Sequence, residues 1–435
     1  MHDTAAICLA AGQHLLNPAG AGSADARDFL DWLACPTPAI PGPVERSRAR
    51  LLFAASRFSR LFSLDCPTAP GLAVFGAEVP LDLLSARPGF SLAAASGTGG
   101  SLLEAFESCA GEGVELLSSV ETTADRVTMC AVPPVGQAAG WLGPVLPPGA
   151  APSSWVEMLR LDGTGSQWVP AGLCFRQPEA VQEFPPPWPL SIGCAAGPTR
   201  EAAALHALLE LVERDAAALW WRGGRRGRPV VLEDPAAGAA RALIEGLRQG
   251  LGERRSWLLD LTTDLGVPVL AALSTGMDGR GFCCGLAART SRARAAEAAV
   301  REMAQMEMAH AVVLAKQREG GPAALNAQDH ALLARYRGID AAGCALLHPA
   351  GMAAPAPDLP EAPTAALAAL IGQLQARGIP VLARDLTRPE LDVPVMRLLC
   401  PGLAVEPSRC IGDRLAACQA ESGSGDCHHG GIGLL

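Results

Sequence analysis

Lysine is nearly missing from this 435-residue chain: Lys316 is the only one, and arginine carries almost all the positive charge. Formal net charge is -9, aromatics are only 4% of residues, and no run of Lys/Arg alternates with them. The chain therefore lacks the basic stripe that a nucleic-acid or anionic-membrane surface requires. No apolar stretch reaches the ~18 residues of a membrane span, and no basic segment introduces an export signal. The expectation is a cytoplasmic protein with no nucleic-acid or membrane partner. Paired cysteine spacing is absent as well. The fourteen Cys are singles apart from Cys283-Cys284, which reads as buried reduced thiols and not as a zinc ribbon. Cys427-His428-His429 offers soft ligands, but it stands in a Gly/Ser-rich tail without a second pair. Neither the Gly-x-x-x-x-Gly-Lys-[Ser/Thr] loop nor the protein-kinase signature set occurs, so any nucleotide site is of another type.

What the chain has is apolar residues, 49% of the total, enough for two ordinary domains or one large one. Its centre is the stretch from Ser191 to Trp221, SIGCAAGPTREAAALHALLELVERDAAALWW. A loop of small residues, with Gly193, Ala196 and Gly197, leads to Thr199, an N-cap candidate with Glu201 in the first turn. The helix that follows is apolar around nearly its whole circumference, so it is expected to be enclosed by protein. Against that background His206, Glu210 and Glu213 share one face, at spacing i, i+4, i+7. A buried carboxylate costs several kcal/mol unless a cation or donors compensate it, and Arg214 alone is too little. The acidic stripe therefore implies something positive opposite it.

The arrangement recurs. Ser96 to Ser119 is a Gly-rich turn running into a helix with Glu112 and Glu115, and Gly285 to Leu314 is a weaker third copy in which Glu302 and Gln305 take the paired positions. Three helices aimed at one centre would bring up to five carboxylates and an amide together, a set that repels itself unless metal lies between. Mg2+ takes oxygen ligands and completes its shell with substrate phosphates, which makes Mg-nucleotide the expected occupant. Small-residue loops at helix N-termini suit an anion, and Arg214 and Arg301 would neutralise phosphates.

A second duplication pairs Leu258 to Leu273 with Leu382 to Leu403: each has an Asp-Leu-Thr turn before a Val-Pro-Val strand. The repeats predict an α+β fold of duplicated strand and helix units with several sheets. Towards the N-terminus, helices are expected near Ala5 to Leu16, Ala24 to Leu33 and Glu45 to Phe62. Residues 1–85, which hold no clustered acids, read as a docking or accessory region; 86–410 as the nucleotide-binding domain; and 411–435 as a C-terminal tail, flexible from Glu421.

These residues resemble the YcaO family, ATP-dependent enzymes that activate peptide backbone amides. The resemblance rests on SIGCAAGPT (Ser191 to Thr199), LLELVERDA (Leu208 to Ala216), GTGGSLLEAFESCAGEGVE (Gly97 to Glu115) and the later DLT and VPV strands ending in CPGL (Cys400 to Leu403). It implies ATP and Mg2+ as cofactors, with Glu112, Glu115, Glu210 and Glu213 as metal ligands. Ser191, Gly193, Ala196, Gly197, Arg214, Glu302 and Gln305 fall at nucleotide-binding positions, and no catalytic acid or base is assigned. It also implies a bacterial ribosomal-peptide system of the bacteriocin type. The partners would be a precursor peptide with a leader, an E1-like or leader-docking protein and a flavin dehydrogenase, within a homo-oligomer or hetero-complex. The expected activity is cyclodehydration of Cys, Ser or Thr to azolines, precursors of thiazoles and oxazoles; thioamide or amidine formation and a non-catalytic scaffold are the alternatives. The chain departs from the family pattern at Thr98, where a Lys is common, at Ala298, where an Arg is usual, and in its Gly-Gly-Ile-Gly-Leu-Leu end, which lacks a Pro-rich terminus.

Overall fold

The computed structural model describes residues 4–20, 22–85, 89, 92–125, 127–130, 154–177, 192–405 and 411–422. Two compact units emerge, one from 1–64, 73–208 and 371–401, the other from 65–72, 209–370 and 402–435. Among the described residues no helix is long and apolar enough to cross a membrane.

In the first unit, helices α1 (Thr4–Leu16), α2 (Ala24–Trp32) and α3 (Pro43–Ala55) precede an antiparallel sheet of β1 (Arg60–Leu64), β2 (Ala73–Pro80) and β3 (Leu92–Gly99). Pro43 opens α3, and Glu45 accepts the Gly42 amide at 2.8 Å, a good start for a helix. The helix expected through Phe62 stops at Ala55. Arg60 to Leu64 instead pair with β2, from Arg60 opposite Glu78 to Leu64 opposite Val74, because strand pairing overrides a weak helical pattern there. Helix α4 (Leu102–Ser118) packs on this sheet, and Phe106 meets Phe29 of α2 and Phe75 of β2 edge-on, with ring centroids 6.1 and 5.9 Å apart. Residues from α1 to α3 thus share one buried core with α4. A second antiparallel sheet runs β4 (Thr128–Met129), β5 (Ser154–Arg160), β12 (Leu382–Asp385), β13 (Val395–Leu399), β7 (Cys194–Ala196), with β6 (Ser166–Pro170) paired to β5.

Helix α5 (Arg200–Trp221) begins in the first unit and continues into the second. There β8 (Arg228–Pro229), β9 (Arg254–Asp260), β10 (Val269–Gly276) and β11 (Cys283–Ala288) form an antiparallel sheet in the order β11-β10-β9-β8. Helices α6 (Pro235–Arg248) and α7 (Arg292–Gly320) pack together, and Glu307 of α7 is buried between Arg248 at 3.1 Å and Arg254 at 2.9 Å. Helices α8 (Ala327–Gly338), α9 (Pro363–Gln375) and α10 (Asp413–Ser422) complete the described elements, so the chain is helical through Ser422, past the point where a flexible tail was expected.

The Asp-Leu-Thr duplication holds at atomic level. Asp260 accepts the Thr262 amide and Asp385 the Thr387 amide, both at 2.8 Å; the two threonine hydroxyls then accept from Val269 and Val395 at 3.1 and 3.2 Å. Each turn is an Asp-stabilised corner that delivers the chain to a strand starting just after a proline. The α+β fold of repeated strand and helix units is the one observed.

Candidate functional site

Three times the chain runs from a strand of small residues through a hydroxyl-capped turn into a helix: β3 to α4, β7 to α5 and β11 to α7. Ser101 Oγ accepts from Glu104, Thr199 Oγ1 from Ala202 and Ser291 Oγ from Arg294, satisfying otherwise orphaned amides. Counted from these caps, Glu112, Glu210 and Glu302 sit at one offset, and Glu115, Glu213 and Gln305 at the next turn. Close packing of strand on helix explains the small residues. A Cβ on Gly97 would lie 2.1 Å from the Cys109 nitrogen, one on Gly197 2.6 Å from that of Ala203, and one on Gly285 2.2 Å from that of Met303. Gly193 has φ 78°, a conformation that other residues rarely adopt.

The strands do more than pack. In the first unit the Ser96 amide donates to Glu112 Oε2 at 2.8 Å, and the Ala196 amide to Glu115 Oε1 at 2.7 Å. In the second, the Leu286 amide donates to Glu302 Oε2 at 2.7 Å, and the Ala288 amide to Glu213 Oε2 at 2.9 Å. The donors repeat as the acids do: Ser96 and Leu286 share one offset before their caps, Ala196 and Ala288 another. The Ala196 amide is thus committed to orienting a carboxylate. Ser191 lies outside the described residues, as does Cys427-His428-His429.

Burial raises Glu112 above the usual carboxylate range, the Ser96 hydrogen bonds opposing it. Glu302 is pushed up to about 7, first by burial and then by Glu213, with Arg214 pulling the other way. Arg214 NH2 stands 3.9 Å from Glu210 Oε1 and 3.8 Å from Glu213 Oε1, long for ion pairs. Burial works against the Arg214 charge, but Glu213, Glu210 and Glu302 more than restore it. Its Nε is buried with no hydrogen-bond partner among the described residues, and the same holds for Arg301 Nε. Gln305 is half-buried and His206 exposed. Four of the five acids, Glu112, Glu115, Glu213 and Glu302, are pinned singly to backbone amides, and among the described residues no three His, Cys, Asp or Glu side chains gather as a ready-made metal cage.

This donor set fits Mg2+ with a phosphate chain. Carboxylate oxygens are the hard ligands Mg2+ prefers, and a divalent cation would offset the Glu213 charge that, after burial, raises Glu302.

A family model described as "YcaO cyclodehydratase, ATP-ad Mg2+-binding" matches residues 96–404, well over half the chain. The chain belongs to the YcaO family. ATP and Mg2+ are the cofactors of that family. Among solved structures, a heterocyclase in complex with substrate and cofactor is similar at TM-score 0.62 and 21% identity, covering 84% of this chain and 53% of its own. This YcaO chain thus spans about half the length of that heterocyclase. YcaO from Methanopyrus kandleri, bound with AMPPCP and Mg2+, is similar at TM-score 0.57 and 22% identity, covering 84% and 92%. The E. coli microcin synthetase McbBCD complex gives 0.54 and 15%, covering 75% and 84%. At these identities the likeness establishes the YcaO fold. Comparison with curated proteins gives no match.

Sequence reasoning had no access to the four backbone donors, since any residue supplies an amide. Asp215 does carry a signal, as the fourth acid, after Glu201, Glu210 and Glu213, on a largely apolar helix.

Proposed function

We propose that this chain uses Mg-ATP to activate backbone amides of a ribosomally made precursor peptide, converting Cys, Ser or Thr to azolines. The side-chain thiol or hydroxyl adds to the preceding carbonyl carbon and loses its proton. The carbonyl oxygen, now an oxyanion, takes the γ-phosphoryl group of ATP. The amide nitrogen then expels phosphate and gives up its own proton, leaving a C=N bond in the ring, with ADP and phosphate as the other products. The peptide loses the elements of one water.

Bound Mg2+ would supply neutralisation of the phosphate charge, with Glu112, Glu115, Glu210 and Glu213 as its ligands. Arg214 and Arg301 would neutralise the phosphates through their guanidinium groups. Ser191, Gly193 and Gly197 shape the nucleotide loop, Ala196 holds Glu115, and Glu302 and Gln305 close the third side. Residues 1–85 serve docking of the peptide or of an E1-like partner, and a flavin dehydrogenase would oxidise azolines to azoles.

One observation carries the reading: half-buried Glu302 is pushed up to about 7, first by desolvation and then by the charge of Glu213, which Arg214 offsets only in part. A scaffold has no physical reason to bury like charges without their cation. The experiment is phosphate release by the chain alone, with an E1-like partner, and with partner plus precursor, followed by peptide mass. Loss of one water per modified residue supports azoline formation; exchange of oxygen for sulfur assigns a thioamide; Mg-ATP binding with no turnover in any mixture assigns a scaffold.

A further inference from the structure

The face of α5 opposite the acidic stripe carries its own charge. Asp215 follows Arg214 directly and is fully buried. At ~100° per residue it points about 200° away from Glu213, to the back of the helix. There it accepts three hydrogen bonds, from the Ala404 amide at 2.9 Å and from Arg414 Nε and NH2 at 2.7 and 2.9 Å, the last two a fork on both carboxylate oxygens. Arg414 lies on α10 and also reaches Asp264 at 2.6 Å. The rest of α10 grips the same stretch of α5. Leu415 and Cys418 pack with Ala218 and Leu219, while Gln419 donates to the Arg222 carbonyl at 3.1 Å and Ser422 Oγ to that of Gly223 at 2.5 Å.

The surface of α5 is largely Ala and Leu, including Ala203, Ala207, Ala216 and Ala217, all buried. Alanine contacts, taken alone, distinguish one helical register from the next less sharply than interlocking large side chains do. A fork on a fully buried carboxylate does distinguish them, since a rotation that breaks it leaves the Asp215 charge unpaired in the interior. On the front of the helix, Glu213 is held by the Ala288 amide.

We infer that the Arg414–Asp215 fork is a positioning device for the nucleotide site: it fixes the rotation of α5 from behind, so that Arg214 and Glu213 face the phosphates and metal. Arg414 touches neither. The inference rests on the Mg-ATP reading given above.

The test is calorimetric titration of the full chain with Mg-ATP, well below the melting temperature, for wild type, Arg414→Ala, Arg414→Lys and Leu415→Ala. Wild type binds; Arg414→Ala binds about tenfold more weakly. Arg414→Lys, which keeps the charge but loses the fork, lies between, and it decides the matter where Arg414→Ala does not fold. Leu415→Ala removes packing from the same helix, so it melts earlier yet binds as wild type does. Unchanged binding in both Arg414 variants, or equal weakening in Leu415→Ala, overturns the positioning role alone. A wild type that binds no Mg-ATP overturns the nucleotide reading and this inference with it.

Discussion

The backbone amide of Leu286 donates to Glu302 Oε2 at 2.7 Å. That bond favours the ionised carboxylate, yet burial and the neighbouring Glu213 outweigh it and hold Glu302 at about 7, against 4.5 for a free glutamate. The folded chain therefore keeps a proton here that the unfolded chain releases at lower pH.

The first prediction follows from the sign of that shift. Between pH 4.5 and about 7 the folded state binds more protons than the unfolded state, so metal-free stability falls as pH rises through this window and levels off above it. The destabilisation above pH 7 is on the order of 3 kcal/mol. Glu302→Gln should flatten the profile and melt later than wild type at pH 8 without metal. Thermal melts across pH 5–8 with EDTA check this; identical profiles for the two proteins would count against a strained Glu302.

Gly285→Ala should be severe. The added Cβ would sit 2.2 Å from both the Ala299 oxygen and the Met303 nitrogen, backbone atoms that cannot swing aside. Strand β11 must then part from α7, at a cost of about 3 kcal/mol or more. Urea denaturation measures the loss. Gly238→Ala, where a Cβ meets nothing within 4 Å, is the control and should be neutral or slightly stabilising.

Much of this was legible beforehand because its signal lies in side chains. Glu112, Glu115, Glu210, Glu213 and Glu302 stand out as acids on apolar helices; the glycines before them read as anion-binding turns, and their close strand–helix contact shows only in the fold. The Asp-Leu-Thr corners were equally readable, since Asp260 and Asp385 bond their own backbone two residues on. What stayed hidden depends on partners distant in sequence. Arg414 meets Asp215 only once α10 packs on α5, and the end of α3 at Ala55 is set by β2 pairing with Arg60 to Leu64.

Removing residues 1–85 should abolish cooperative melting of the first unit. The truncation takes out β1 and β2 and strips Phe29 and Phe75 from around Phe106. A truncated chain that melts as sharply as the full one would show that α4 does not need this packing; because the truncation disturbs the fold, charge reversals on exposed residues such as Arg46 and Arg57 are the gentler probe of docking.

The central claim is that the paired carboxylates hold Mg-ATP, and Glu210→Gln tests it most directly. Glu210 is half-buried within 3.9 Å of Arg214, so losing its charge leaves the metal-free fold intact while removing a ligand. Nucleotide binding measured by calorimetry with and without Mg2+, for wild type and variant, is the decisive comparison. Wild type should bind ATP only with Mg2+, and Glu210→Gln should bind at least tenfold more weakly at an unchanged metal-free melting temperature. Equal Mg-ATP affinity in the two proteins, or a variant that melts far earlier than wild type without metal, would contradict the account.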